Sequence, residues 1–274
     1  MDFQPIIKKF LNAKIQETRD ISAGIDQNVF LILTDKGKFV IKQAKKDNGV
    51  LFRQRLAYEM IKDTSIPVPT LRYAAENFLI EEFIEGETLS NTKKDKKRYF
   101  RLVGSILKEL HAKELPSKTA SPKFLDSNKH LVPLDIKKLE NLKYFSSGKM
   151  NKIKEFFLLH KPKLQKSVFL HGDLADAHII IHDNKIAAII DWGDFGTGLP
   201  EYDFACMFID HHNDGFFDDL IRSYGKVDMN AVRYFAAIRL VWRFVRHFKD
   251  PTQKKKLAKI EKLLTNIIIE DNIN

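Results

Sequence analysis

A single cysteine, Cys206, occurs in 274 residues. One thiol excludes a disulfide framework and a cysteine-built zinc cluster, and it fits a reducing compartment. No stretch approaches the run of about 18 apolar residues that a membrane-crossing helix needs. Glycine and proline number only 12 and 9, which rules out collagen-like and linker-like chains. There is no internal repeat. The opening residues, Met1-Asp2-Phe3-Gln4-Pro5-Ile6-Ile7-Lys8-Lys9, lack the layout of a secretory signal. The expectation is a cytoplasmic protein without a membrane span.

What is present is apolar bulk and unevenly placed charge. Hydrophobic residues make up 44% of the chain, with 21 Phe, so a core can be buried and whole-chain disorder is excluded. The length suits one large domain or two modest ones. The formal net charge of +10 is concentrated: residues 91–166 hold 20 Lys and Arg against 7 Asp and Glu. Residues 171–220 hold 11 Asp and Glu against Lys185 alone. The basic block, with Lys93-Lys94-Asp95-Lys96-Lys97-Arg98, reads as a solvated helix start. No aromatic-interleaved motif accompanies it, so nucleic acid is not the expected partner.

Hydrophobic spacing predicts a helix over 4–16, then strands over 20–24, 28–33 and 38–43, with Asp35-Lys36-Gly37 turning the last two. A helix over 51–63 and strands over 71–75 and 78–83 follow. Beyond Glu85-Gly86-Glu87, helices are predicted over 95–113, 136–146, 149–165, 201–223, 229–248 and 252–268. A β island over 167–170, 178–182 and 186–190 interrupts them, with Asp183-Asn184-Lys185 as a tight turn. This is an α+β chain of two lobes: a small sheet lobe over 1–84 and a larger helical lobe over 85–274, with a cleft between them.

The island carries His171-Gly172-Asp173-Leu174-Ala175-Asp176-Ala177-His178, and thirteen residues after His178 comes Asp191-Trp192-Gly193-Asp194. A hairpin can bring His178 and Asp191 side by side, close to Asp173. Phosphoryl transfer needs such a set: a carboxylate to orient and deprotonate a hydroxyl, and ligands to fix magnesium on nucleotide phosphates. Phe39-Val40-Ile41-Lys42 is a strand ending in lysine, with Val40 and Lys42 on one face. Glu59, 17 residues on in the next helix, could pair with Lys42, which would place a fixed positive charge on the phosphates.

These elements occur in kinase order, and the chain resembles the aminoglycoside phosphotransferase-like (choline kinase-like) small-molecule kinases, which share the bilobal protein-kinase fold. The resemblance runs from about Asp20 to the last helices. It implies Asp173 as catalytic base, Asp191 as the main magnesium ligand, Lys42 on the phosphates of ATP or GTP, and Glu59 orienting Lys42. It implies that Glu81 and Phe83 offer backbone groups to the purine. The turn from Ser22 through Gly24 to Asn28 would lie over the phosphates, although it lacks a G-x-G-x-x-G pattern. Asp203 matches a structural position. His178 stands where most relatives have asparagine, a variant similar to that of macrolide kinases, 2″-aminoglycoside kinases and some lipopolysaccharide sugar kinases. It can ligate magnesium or hold the loop.

The resemblance implies a small-molecule alcohol as acceptor, either an aminoglycoside- or macrolide-like sugar compound or a metabolite of choline, homoserine or heptose type. A nucleotide-binding pseudokinase is the reading outside enzymes. Asp210, Asp214 and Asp218 could attract an amino-sugar, against the plainer reading of a surface helix end. Adjacent His211 and His212 point about 100° apart on a helix and chelate one ion poorly. His171 reads as a loop organiser, and Trp192 as core.

Overall fold

The computed structural model describes residues 2–22, 26–46, 49–93, 95–115, 124–163 and 166–270. In chain order the elements are α1 (Gln4–Leu11), β1 (Ile15–Asp20), β2 (Gln27–Thr34), β3 (Gly37–Ala44), α2 (Val50–Ile61), β4 (Leu71–Ala74), β5 (Phe78–Glu82) and β6 (Glu87–Thr88). Next come α3 (Lys96–Ala112), α4 (Phe124–Asn141), α5 (Ser147–Leu159), β7 (Val168–Leu170), β8 (Ile179–His182), β9 (Lys185–Ile189) and β10 (Gly196–Gly198). The described chain closes with α6 (Glu201–His211), α7 (Phe216–Tyr224), α8 (Met229–His247) and α9 (Lys254–Glu270). Two compact units result, residues 1–110 with 171–195 and residues 111–170 with 196–274. The first takes in, beyond the sheet lobe expected over 1–84, most of α3 and the β8–β9 hairpin.

In the first unit a five-stranded antiparallel sheet has the order β1-β2-β3-β5-β4. Alternation along β3 sends Phe39 and Ile41 into a core with Phe3, Ile7, Ile32 and Ile80. Val40 and Lys42 point to the opposite face, where Leu79 packs with Val50 and Leu51 of α2. A second sheet of order β6-β8-β9 carries the hairpin. Its turn residues Asp183 and Asn184 have φ of 47° and 58°, the left-handed pair that a two-residue hairpin loop requires. Gly86 sits tight on this sheet: a Cβ there would lie 2.3 Å from the Ile181 carbonyl oxygen.

In the second unit β7 and β10 pair antiparallel, and α6 packs on α8 through Tyr202 and Phe235, whose rings meet edge to face. His111 is buried there. Its Nε2–H donates to Asp203 Oδ2 at 3.3 Å, and Tyr224 Oη donates to His111 Nδ1 at 3.0 Å. Asp203 thus has the structural place expected of it.

Several boundaries differ from expectation. The first helix stops at Leu11 because Asn12 takes a left-handed φ of 49°. The strand expected over 20–24 lies earlier, as β1. The helix expected over 201–223 is broken: α6 ends at His211, and α7 starts after Gly215, whose φ is 76°. Asp214 Oδ1 accepts from the Phe216 amide at 2.9 Å, a local turn that competes with helix continuation. The helix expected over 136–146 is α4, longer and earlier, with Pro133 inside it. Among the described residues no helix is long and apolar enough to cross a membrane.

Candidate active site

Asp173 lies in the loop between β7 and a 3-10 turn, Asp176–His178, that leads into β8. Two histidines clamp its backbone. The Asp173 amide donates to His171 Nδ1 at 3.2 Å, and its carbonyl accepts from His178 Nδ1 at 2.7 Å. His171 is 1% exposed, and its Nε2–H donates to the Ile190 carbonyl at 3.0 Å. It organises the loop, as its sequence context predicts. The Asp173 carboxylate is left about one-third exposed, 4.0 Å from His178 Nδ1.

The hairpin brings His178 to Asp191. His178 Nε2 lies 3.5 Å from Asp191 Oδ2. Because a carbonyl can only accept, the bond to Asp173 puts the proton of a neutral imidazole on Nδ1. Nε2 then turns a lone pair toward a carboxylate. Two acceptors so placed repel unless a proton or a cation lies between them, and with a cation there the pair could serve as two of its ligands. Magnesium bound this way takes one or two protein ligands and completes its shell with water and phosphate oxygens. Among the described residues no group of three or more His, Cys, Asp or Glu is placed to hold a metal by itself.

Asp191 adopts a left-handed φ of 65°, a conformation that costs most residues about 1–2 kcal/mol and that Asp tolerates better. Its position is secured by its neighbours. Trp192 is fully buried, and its Nε1 donates to the Ile189 carbonyl at 2.9 Å. Arg53 of α2 donates through Nε to the Gly193 carbonyl at 2.6 Å.

Lys42 is placed as the strand pattern predicts, but its expected partner is not Glu59. Glu59 is exposed and pairs with Arg55 one turn earlier, at 3.8 Å, and no ion pair joins it to Lys42. The charge beside Lys42 belongs to Glu81, whose Oε2 lies 3.3 Å from the ammonium. Register explains this: Val40 on β3 pairs with Glu81 on β5, so Glu81 shares the face of Val40 and Lys42. Its backbone lies within the ladder, between Val40 and Leu71. The Phe83 amide donates to the Lys38 carbonyl at 3.1 Å. The Glu81 side chain also accepts from Gln54 and Tyr58 of α2.

Ser22, just after β1, accepts through Oγ from the Val29 amide of β2 at 2.8 Å. Gly24 lies outside the described residues. Asp210, near the end of α6, Asp214, between the helices, and Asp218, in α7, belong to the second unit and are exposed. Asp214 there pairs with His211 Nδ1 at 2.6 Å. Gln54, Tyr58 and Arg53 were not singled out by the sequence. The signal for the first two was the helical period of α2, whose buried positions include 50, 51, 54, 57, 58 and 61.

Comparison with known proteins agrees with this fold. The model of the phosphotransferase enzyme family matches residues 17–235. An aminoglycoside 3′-phosphotransferase of Niallia circulans is 25% identical over 188 residues, which is 63% of this chain and 72% of that protein. Among solved structures, the ADP-bound aminoglycoside phosphotransferase APH(2″)-Ib superposes with a TM-score of 0.71 at 21% identity, over 97% of this chain and 98% of that one. The macrolide 2′-phosphotransferase MphH from Brachybacterium faecium gives 0.66 at 17% identity, over 94% and 97%. At these identities the structures share the fold.

Proposed function

Since the chain belongs to the phosphotransferase enzyme family, we propose that it is a cytoplasmic, magnesium-dependent kinase that moves the γ-phosphoryl group of ATP or GTP to a hydroxyl of a small sugar-containing compound of aminoglycoside or macrolide type. The observation that carries this reading is the convergence, in one unit, of the clamped Asp173 with His178 and Asp191 on the hairpin. Asp173 accepts the proton of the attacking hydroxyl, held within reach by its two histidine bonds. Asp191 and His178 would hold the metal, which when bound would neutralise charge on the nucleotide phosphates. Lys42 adds a fixed positive charge there, in a nearly water-free place where it counts for more than in solvent. The acceptor assignment is supported by the names of the relatives.

The test is transfer from magnesium-ATP and magnesium-GTP to a panel of aminoglycosides, macrolides and metabolite alcohols such as choline, homoserine and heptoses. Asp173→Asn is run alongside. The expected outcome is one acceptor class turned over by the wild type and a loss of about 10³ in kcat in the variant, with nucleotide binding retained. Equal turnover by Asp173→Asn removes the base assignment. A metabolite as sole acceptor replaces the antibiotic reading. Nucleotide binding without any transfer makes the chain a pseudokinase.

A further inference from the structure

Glu81 is one of the most enclosed charged groups among the described residues, 2% exposed, and it pairs with Lys42. Its two oxygens have different company. Oε2 faces the Lys42 ammonium at 3.3 Å. Oε1 accepts from Gln54 Nε2 and, at 3.2 Å, from Tyr58 Oη. Gln54 Nε2 also donates to Tyr58 Oη at 3.1 Å, which closes a triangle. Gln54 is fully buried and Tyr58 is 7% exposed. Burial first, and then the Glu81 charge, push the Tyr58 phenol well above its ordinary range, so it stays a neutral donor. Gln54 and Tyr58 are four residues apart, on one face of α2.

Lys42 is the counterpart. Its side chain is 9% exposed, and its ammonium makes an ion pair but no hydrogen bond. A buried ammonium with its three N–H donors unspent is costly, unless a ligand with several acceptor oxygens takes them up. The carboxylate keeps it in place until then. We propose that Glu81, braced by Gln54 and Tyr58, is the positioning residue that holds Lys42 for phosphoryl transfer, and that the helix contributes neutral hydrogen bonds instead of an acid. This rests on the reading under Proposed function. Lys42 and Glu81 stand on neighbouring strands whose register is fixed by the ladder between β3 and β5. The geometry of the pair is therefore set by the sheet.

The experiment is a double-mutant cycle read by steady-state kinetics, with magnesium-ATP or magnesium-GTP varied and the acceptor found by the panel held fixed. The variants are Glu81→Gln, Lys42→Met, both together, and Glu59→Gln. Circular dichroism and thermal unfolding check each fold. A positioning role predicts that Glu81→Gln lowers kcat/KM for nucleotide by about 30-fold or more, that the double variant is no worse than Lys42→Met, and that Glu59→Gln stays within about twofold of wild type. A folded Glu81→Gln within about twofold of wild type overturns the proposal. So does a loss that multiplies with that of Lys42→Met, since Glu81 would then act independently of the lysine. If Glu81→Gln does not fold, Glu81→Asp, which keeps the charge one methylene shorter, carries the same cycle. An inactive wild type defeats the kinase reading itself and this proposal with it; an active wild type with an indifferent Glu81 defeats this proposal alone.

Discussion

Single residues show how much of the chemistry is settled by hydrogen bonds to backbone. His171 and His178 differ in exposure and in duty, yet each spends a ring nitrogen on the Asp173 backbone. In the second unit His111 has no such task; it links Asp203 to Tyr224. There burial, and the charges of Glu201 and Asp203, raise the Tyr224 phenol from an ordinary value of 10.0 to about 12. The folded protein then keeps a proton that the unfolded chain has released. Stability from this group is complete below about pH 10 and declines as pH climbs from about 10 to about 12. Tyr224→Phe is expected to lose part of that alkaline decline, measured as urea midpoints of both proteins across the range. The meeting of Asp173, His178 and Asp191 was legible in the sequence because their spacing is short and their turns are local. The pairing of Glu81 with Lys42 was not, because it depends on which residue of β3 lies opposite Glu81, and register does not show in a lone strand.

At the scale of elements, α2 illustrates both the reach and the limit of pattern reading. Its existence followed from its apolar residues, and its actual extent, Val50–Ile61, is close to the expected one. Glu59 was read as the partner of Lys42 from its residue type, its place in the helix after the strand and the kinase order of the elements. Helical geometry argued otherwise: Glu59 is five residues, about 140°, from Gln54, and it stands four residues after Arg55, the spacing of a surface ion pair. The same helix reaches the loop of Asp191 through Arg53. Arg53→Met leaves the buried Gly193 carbonyl without this donor, a loss of about 1–3 kcal/mol. It is expected to lower the unfolding temperature and to raise the magnesium concentration needed for half-maximal turnover. A metal titration of activity beside a melting curve checks both. An unchanged magnesium requirement would show that Arg53 serves stability only.

For the whole molecule, the sequence order of motifs was enough to identify the family, whose model covers residues 17–235. The division into units was harder to read, because residues 171–195 return to the first unit after a long excursion, and contiguous composition does not reveal such a return. Ligand linkage gives a prediction at this scale. Magnesium-nucleotide at about 100 times its dissociation constant should stabilise the native state by about 2.7 kcal/mol. A thermal unfolding series with increasing nucleotide reads this as a rising midpoint, and Lys42→Met should blunt it. Cys206, finally, is 1% exposed, with its thiol donating to the Tyr202 carbonyl, and the chain has no other cysteine. The native protein is therefore silent to thiol-reactive dyes. Cysteines introduced at Phe52, 53% exposed in the first unit, and at Leu158, 79% exposed in the second, would be the accessible attachment points. A single fluorophore at either position can report local change within its own unit when nucleotide is added, without any background thiol to remove.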